Sequence, residues 1–155
     1  MTIDKVHALE KAVIQILNFD GWKLVWTGEG SSHFDAEGLT PKGEKCVLEM
    51  KFRNKYYDTK LLEKYKYDKL MAIDKDIVKL YFVADPKGNY LYWLNKMNMP
   101  ELENKSIRKT TLWDAQKTNK EIYMLPESKA SIINKNEPSR TGKSIWDEYH
   151  KKNLK

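Results

Sequence analysis

The opening segment of the chain, residues 2–18, places its apolar side chains at the spacing of an amphipathic helix. The stripe that this spacing defines contains Ile3, Val6, Val13, Ile16 and Leu17. At about 100° per residue, Glu10 falls inside the stripe and not on the polar face. A buried carboxylate must find a partner or lose its charge. We therefore expect Glu10 to meet either a lysine at the edge of the core or a bound cation.

Beyond this helix, apolar runs separated by turn residues predict short strands. They are expected over residues 22–26, 34–39, 45–52, 76–84, 90–94 and 121–126, with a further short strand allowed over 110–113. Helical spacing returns over about 59–73 and about 127–133. Residues 97–108 are polar and contain Pro100, which favours a loop. The mixture of strand and helix signals predicts an α/β domain.

We expect one domain over residues 1–133, followed by a linker and tail over residues 134–155. Residues 134–144 combine Asn, Pro, Ser, Arg and Gly, which is typical of a linker. Residues 145–154 allow one or two helical turns. Trp146 and Tyr149 in this tail would pack either on the chain's own domain or on a second subunit.

The turn at residues 40–44 sets the register of the hairpin formed by the strands on either side of it. Pro41 and Lys42 suit the centre of a type I turn, and Gly43 can adopt the left-handed conformation of the bulge residue that follows. This closure sets Thr40 opposite Glu44. Counting outward from that pair assigns the other cross-strand neighbours.

Three chemically competent side chains meet in this register. Asp35 lies opposite Glu49, and directly opposed Cβ atoms are roughly 4.5–5.5 Å apart. Lys51 shares the face of Glu49 because side chains alternate along a strand. Two bare carboxylates at this separation repel each other, so a divalent cation between them would explain the arrangement. A solvated, charged strand face is the alternative.

Glycines and basic residues flank these three. Gly28 and Gly30 either let the backbone pass close to a phosphate or simply form a turn. Arg53 and Lys55 follow the second strand of the hairpin. This stretch is our preferred candidate for a surface that tracks a nucleic-acid backbone.

The helix predicted over about 59–73 carries Lys66 and Lys69 on its inward stripe, which contains Leu62, Tyr65, Leu70 and Ile73. The long stems of lysines often lie along apolar surface with the charged group in water. The two ammonium groups therefore either solvate the edge of the core or grip a phosphodiester backbone.

Composition and charge agree with a polyanionic partner. With 155 residues, 41% of them hydrophobic, the chain fits one compact domain. A net charge of +6 and a pI of about 9.2 favour nucleic acid. The single cysteine, Cys46, excludes an internal disulfide, and no run approaches roughly 18 apolar residues. The start resembles an amphipathic helix more than a signal peptide, so we expect no membrane association and a location in the cytoplasm of a bacterial or phage-infected host cell.

This succession of elements and residues resembles the PD-(D/E)xK nuclease superfamily. It is similar to the small archaeal Holliday junction resolvases and to compact phage-type endonucleases of that superfamily. The resemblance covers roughly residues 1–94, and Phe34-Asp35 stands where the family often has Pro-Asp. It implies a restriction-endonuclease-like α/β core, with a central mixed sheet of about four to five strands flanked by helices.

The resemblance also implies metal-dependent hydrolysis of DNA, with a branched molecule such as a Holliday junction as one candidate substrate. Asp35 and Glu49 would bind Mg²⁺, or Mn²⁺ in its place, and the main-chain carbonyl of Met50 would be a further oxygen ligand. Glu10 would be an accessory ligand, directly or through water. All-oxygen coordination suits a hard cation that keeps several waters.

The lysines receive the remaining roles. Lys51 would orient the attacking water and help to deprotonate it, and Lys66, with Lys69 as its rival, would contact the phosphate next to the scissile bond. Resolvases of this type act as symmetric dimers, so a homodimer is a candidate assembly, although no feature of the sequence fixes its surface. Two alternatives stay open: a nucleic-acid-binding module that has lost catalysis, and a phage-encoded protein that binds a protein partner.

Overall fold

The computed structural model describes residues 1–30, 32–108 and 117–135, which contain two helices and nine strands. The helices are α1 (Ile3–Phe19) and α2 (Lys64–Met71). The strands are β1 (Lys23–Trp26), β2 (Ala36–Leu39), β3 (Lys45–Phe52), β4 (Thr59–Glu63), β5 (Val78–Asp85), β6 (Gly88–Trp93), β7 (Glu103–Arg108), β8 (Lys117–Pro126) and β9 (Ile132–Lys135). Across these ranges, no helix has the length and hydropathy needed to span a membrane. The predictions for residues 110–113 and 145–154 lie outside the described residues.

The amphipathic helix predicted at the start of the chain is α1. The hydroxyl of Thr2 accepts a hydrogen bond from the N–H of Lys5 at 3.3 Å and so caps the helix. Its buried residues are Glu10 and Ile14, which lie one turn apart on the same face. The predicted burial of Glu10 is therefore confirmed. Ile16 is 69% exposed, so its assignment to the inward stripe was wrong.

The β2–β3 hairpin has the predicted register. The N–H of Thr40 donates to the carbonyl of Glu44 at 2.9 Å, and Gly43 has a φ of 83°, in the left-handed region. Pairing then runs from Leu39 with Lys45 to Ala36 with Leu48. Turn type and loop length fix the register of a hairpin, which is why the local sequence was sufficient here.

The main sheet has six strands in the order β1-β2-β3-β5-β6-β9. Because β3 and β5 are parallel and their neighbours antiparallel, the sheet is mixed, as predicted, but it has one strand more than the expected four to five. The extra strand is β9, in a segment that we predicted as a helix over 127–133. The helical conformation there is limited to one turn, Glu127–Lys129. Ile132 and Ile133, which are β-branched and favour strands, pair with β6 instead.

A second sheet, in the order β4-β8-β7, packs beside the main one. Its strand β4 occupies residues that we predicted as the beginning of a helix over 59–73, so that prediction was wrong before Lys64. Burial alternates along β4, with Lys60 and Leu62 buried. Likewise β7 occupies part of the loop predicted over 97–108. β4 pairs with β8, which is distant in sequence, so local patterns do not reveal β4. β7 pairs with the same strand, which is the next element along the chain.

The main sheet is packed on both faces. The core on the α1 side includes Ile14, Leu24, Leu48, Leu80 and Phe82. The core on the side of α2 and the second sheet includes Val47, Leu62, Leu70, Tyr81 and Leu125. Side chains of β3 alternate between these two cores, as predicted. The carboxyl ends of the parallel strands β3 and β5 meet at one edge of the sheet, and charged side chains are buried beside both ends.

Candidate active site

The candidate site begins where β3 extends past its neighbour β2. The paired register of these strands ends with Ala36 opposite Leu48, so the end of β3 has no β2 partner. Asp35, the residue just before β2, makes hydrogen bonds with this unpaired end of β3. Its N–H donates to the carbonyl of Leu48 at 2.9 Å, and its Oδ2 accepts a hydrogen bond from the N–H of Met50 at 2.8 Å. The carboxylate of Asp35 is thereby fixed at the open edge of β3.

Glu49 projects from β3 on the side of the second core. The residue is only 6% exposed, and its Oε1 lies 2.7 Å from Nζ of Lys66 on α2. The side chain of Lys66 is 41% exposed, so its ammonium group bridges the buried acid and the solvent. Lys69, one turn further along α2, lies with its Nζ 5.0 Å from the ring centroid of Tyr65. Of the two rival lysines, Lys66 is thus the one that contacts a predicted site acid.

Glu10 reaches the same region from α1. It is 5% exposed, and its Oε2 accepts a hydrogen bond from the indole Nε1 of Trp26 at 3.1 Å. The indole is in turn flanked by His7, with ring centroids 5.0 Å apart, and by Nζ of Lys11 at 4.1 Å. The hydrogen-bond partner of Glu10 is therefore an indole. The sequence had predicted a lysine or a bound cation as the partner.

The loop glycines have different surroundings. A Cβ on Gly28 would lie 2.6 Å from the indole Nε1 of Trp26, whereas a Cβ on Gly30 would have no atom closer than 3.5 Å. The N–H of Gly30 donates to the carbonyl of Thr27 at 3.1 Å, which closes a turn. The close approach of the indole is thus a sufficient physical reason for a glycine at position 28.

One pocket of about 280 Å³ brings the principal predicted residues together; its lining includes Glu10, Asp35, Glu49, Met50, Lys51 and Lys66. A second pocket, of about 240 Å³, adjoins it and shares Asp35, Glu49 and Lys66 while adding Gly28 and Lys69. Arg53 lines a third hollow, of about 330 Å³, on the other side of Asn54. Lys55 is exposed in the segment after β3.

The carboxyl groups of the pocket are harder to ionise than ordinary ones. Burial raises the pKa of Glu49, and the neighbouring Asp35 raises it further, while Lys66 opposes both effects. Burial also raises the pKa of Asp35 against the stabilising hydrogen bond from Met50, and Glu10 adds to the increase. The pKa of Glu10 itself is raised, again mainly by burial. The acids repel one another in a place with little water.

The two lysines of the pocket have pKa values shifted in opposite directions. Burial lowers the pKa of Lys51 to about 8, and the positive charges of Lys66 and Arg53 contribute to that decrease. Burial also disfavours the charge of Lys66, but the attraction of Glu49 and the hydrogen bond to it, together with the charges of Asp35 and Glu63, outweigh burial and raise the pKa of Lys66. At neutral pH, Lys66 therefore keeps its positive charge, whereas a part of the Lys51 population is a neutral amine.

The donor atoms of the pocket fit a hard cation in kind but are not drawn together. Among the described residues, no three His, Cys, Asp or Glu side chains form a group that could hold a metal ion as they stand. The reason is that each acid is engaged separately: Glu10 by Trp26, Asp35 by Met50 and Glu49 by Lys66. The three carboxylates nevertheless suit a cation such as Mg²⁺, because hard cations prefer oxygen ligands. A cation would also offset the repulsion between the acids.

A main-chain oxygen can join this donor set. In a strand, the N–H and C=O of one residue face the same neighbour. Since the N–H of Met50 donates to Asp35, its carbonyl faces that open edge as well. The predicted use of this carbonyl is consistent with the backbone geometry.

Sequence reasoning missed several residues that shape the pocket. Trp26 holds Glu10, and the charge of His7 lowers the pKa of both Glu10 and Asp35. His7 precedes Glu10 by three residues, so helical periodicity could have placed the two together. No local signal links Trp26 to Glu10, because their contact depends on how α1 packs against β1.

The fold and this arrangement place the chain in a recognisable structural class. A helix with a buried acid, a mixed sheet whose strand β3 carries the acid and lysine pair, and a following helix with lysines make up an α/β fold that the chain shares with a solved Holliday junction resolvase. The resemblance seen in the sequence is confirmed at the level of the fold.

Among solved structures, the chain is similar to a Holliday junction resolvase from the archaeal hyperthermophile Archaeoglobus fulgidus. The two share 16% sequence identity with a TM-score of 0.50, over 79% of this chain and 87% of that chain. At this identity the likeness shows the fold alone. No protein-family model matches the chain, and no curated protein matches it in sequence.

Proposed function

We propose that this protein is an endonuclease that hydrolyses phosphodiester bonds of DNA with the help of a divalent cation. The observation that carries the proposal is the single pocket lined by Asp35, Glu49 and Lys51, with Glu10 and Lys66 beside them. Strongly perturbed acids and a lysine with a depressed pKa in one pocket are typical of a site adapted to chemistry. The fold shared with a resolvase supports the assignment.

Asp35, Glu49 and the carbonyl of Met50 would hold Mg²⁺ or Mn²⁺, with Glu10 as an accessory ligand. Such a cation, when bound, supplies charge stabilisation at a phosphoryl oxygen and lowers the pKa of a bound water. The raised pKa values of Asp35 and Glu49 support this role, because the acids lack enough positive charge nearby to ionise freely. The ammonium of Lys66 would have to release the Oε1 of Glu49, and its exposed position permits that movement.

Lys51 would orient the water that attacks the phosphorus and accept its proton. With a pKa of about 8, a part of the Lys51 population is a free amine at neutral pH and can act as a base. The new bond from the water oxygen to phosphorus would form in line as the bond to the leaving oxygen breaks. Protonated Lys51 then stabilises the negative charge that develops on the phosphoryl oxygens.

Lys66 would contact the phosphate next to the scissile bond. Its pKa is raised, so it keeps its charge, and it stands half-exposed at the mouth of the pocket. Lys69 lies in the adjoining pocket and would contact a neighbouring phosphate. The net charge of +6 favours the approach of any nucleic acid.

A branched substrate and a homodimer are the finer parts of the proposal. They rest on the likeness of the fold to a Holliday junction resolvase. A junction with two-fold symmetry would be cut at two equivalent positions by a symmetric dimer. Linear or nicked duplex DNA is the alternative substrate.

The test compares linear, nicked and four-way-junction DNA in EDTA, Mg²⁺ and Mn²⁺. We expect cutting only with a divalent cation, and none by the variants Glu49→Gln and Lys51→Ala. Glu37→Gln is a matched control, because Glu37 is an exposed acid on the same hairpin. Cutting by either site variant would remove that residue from its role. Binding in EDTA without cutting under any condition would instead support an inactive nucleic-acid-binding module, and indifference to DNA would support a protein-binding function.

A further inference from the structure

One part of the second sheet is formed by β7 and β8 without β4. β7 and β8 pair along their length, from Glu103 with Ile122 to Arg108 with Lys117. β4, in contrast, pairs only with residues 122–126 of β8. Within the part of the chain that the structure describes, residues 104–108 and 117–121 therefore form a two-stranded segment without a third strand, which we call the β7–β8 ribbon.

The β7–β8 ribbon does not contribute a face to the hydrophobic core. Its exposed side chains are Asn104, Lys105, Ser106, Lys117, Asn119 and Glu121. A two-stranded segment in water is marginally stable unless an apolar face or a partner supports it. The polar composition of the β7–β8 ribbon is therefore better explained by a binding role than by packing.

Basic residues occupy directly opposed positions in the β7–β8 ribbon. Lys105 pairs with Lys120, and Arg108 pairs with Lys117. Like charges directly opposite each other in a sheet are destabilising. Glu63 offsets the charge of Lys120, and a polyanion would offset the charges that Lys105 and Lys117 expose.

The base of the β7–β8 ribbon adjoins the candidate active site. Nζ of Lys120 lies 3.3 Å from Oε2 of Glu63, the last residue of β4. Glu63 directly precedes α2, the helix that carries Lys66, and its charge acts on both Lys51 and Lys66. The base of the ribbon therefore lies beside the helix that carries Lys66.

We propose that the β7–β8 ribbon is a second DNA-binding element, which holds the duplex flanking the scissile phosphate. A two-stranded ribbon fits the major groove, which is about 12 Å wide. Lys105 and Lys117 lie on opposite faces of the ribbon, because side chains alternate along each strand. Each lysine would therefore contact phosphates of one wall of the groove, and the asparagine and serine side chains would contact phosphate or base edges. This inference rests on the proposed function, since it concerns the same substrate.

The experiment measures DNA affinity of the double variant Lys105→Ala/Lys117→Ala by fluorescence anisotropy in EDTA, with four-way-junction and linear duplex probes. The matched control is Lys42→Ala/Lys45→Ala, which also removes two exposed positive charges but at the opposite end of β3. Salt is varied from about 0.05 to about 0.2 M. All variants are first checked by thermal unfolding, and we expect no loss of stability because the substituted side chains are exposed.

We expect the ribbon variant to lose about tenfold or more in affinity, and its plot of log affinity against log salt to become shallower by about 2. The control should change by less than about threefold, and Lys105→Arg/Lys117→Arg should restore binding because the charge returns. Equal affinities for the ribbon variant and the control, with DNA still cut by the unaltered protein, would overturn this inference alone. Failure of the unaltered protein to bind any DNA would overturn it together with the proposed function.

Discussion

Two groups of acids and lysines lie at the carboxyl ends of the neighbouring parallel strands, one at the end of β5 and one at the end of β3. In the first, Lys60 is 1% exposed, and its Nζ lies 2.6 Å from Asp85 and 3.3 Å from Glu127. It also donates to the carbonyl of Tyr57 at 2.5 Å, and the ring of Tyr90 lies 4.0 Å away. The ammonium group of Lys60 thus has hydrogen-bond acceptors within the fold from Tyr57, Asp85 and Glu127.

The two groups shift carboxyl pKa values in opposite directions. At the Lys60 group, burial disfavours ionisation of Glu127, but hydrogen bonds from Lys135, Tyr56 and Lys60 outweigh it and lower its pKa to about 2. At the candidate active site, burial and mutual repulsion keep the pKa values of Asp35 and Glu49 raised. The Lys60 group links the second sheet to the main one. The acids of the candidate site, in contrast, have too little positive charge nearby to offset their burial and mutual repulsion.

The largest effects are expected when one charged side chain is removed from each group. Glu49→Gln should lower the cleavage rate by roughly a thousandfold, with no loss of stability, because the lost carboxylate was poorly accommodated. Lys60→Met should lower the free energy of unfolding by about 3–5 kcal/mol, since Asp85 is left buried without its partner. Rates of DNA cutting and urea unfolding curves measure the two effects.

The opposite results for these two variants would contradict the proposed difference between the two groups. A strongly destabilised Glu49→Gln protein would mean that Glu49 is a structural ion-pair partner of Lys66. An unchanged unfolding curve for Lys60→Met would mean that the Lys60 group does not fasten the sheets.

The dependence of stability on pH should also be opposite in the two groups. A carboxyl with a raised pKa binds its proton more tightly in the folded state, so its contribution is present at low pH and is lost as the pH rises. In EDTA, the unaltered protein should therefore lose stability relative to Glu49→Gln as the pH rises from about 4 towards neutrality. Thermal unfolding across this range measures the difference.

Glu127 should show the reverse trend. Its lowered pKa means that the unfolded state binds the proton more tightly. The stability advantage of the unaltered protein over Glu127→Gln should be present above the ordinary carboxyl pKa of 4.5 and should fade as the pH falls towards about 2. The same slope for both variants would show that the two groups do not differ in charge balance.

The smallest expected effect concerns the support of Glu10. Gly28→Ala adds a Cβ 2.6 Å from the indole of Trp26, so the ring must shift and loosen its hydrogen bond to Glu10. We expect roughly a tenfold loss of cleavage activity. Gly30→Ala, with its nearest atom at 3.5 Å, is the control and should change stability by less than about 0.5 kcal/mol. Cleavage assays that give equal rates for the two variants would remove Trp26 from this supporting role.

Local sequence was sufficient for the features that local geometry determines. The turn around Gly43 fixed the β2–β3 register, and helical periodicity placed Glu10 among buried residues. The strand β4 was predicted as part of a helix because Leu62 lies at helical spacing from Tyr65, Leu70 and Ile73, while its partner β8 is far away in sequence. Pairing between distant segments can override propensity, and it determined β4 and β9.

The same distinction applies to the two charged groups. The candidate site could be predicted because a single hairpin carries Asp35, Glu49 and Lys51. The Lys60 group joins β4, the end of β5 and the turn after β8, so only the assembled fold brings its members together. The hydrogen bond between Trp26 and Glu10 likewise depends on tertiary packing.

Cation binding by the pocket is the most direct test of the central claim. Titration of Mn²⁺ into the unaltered protein, followed by electron paramagnetic resonance, should show loss of the free-ion signal. Asp35→Asn/Glu49→Gln should lose this binding, and Glu37→Gln should retain it. Equal Mn²⁺ binding by the double variant, or none by the unaltered protein, would contradict the account.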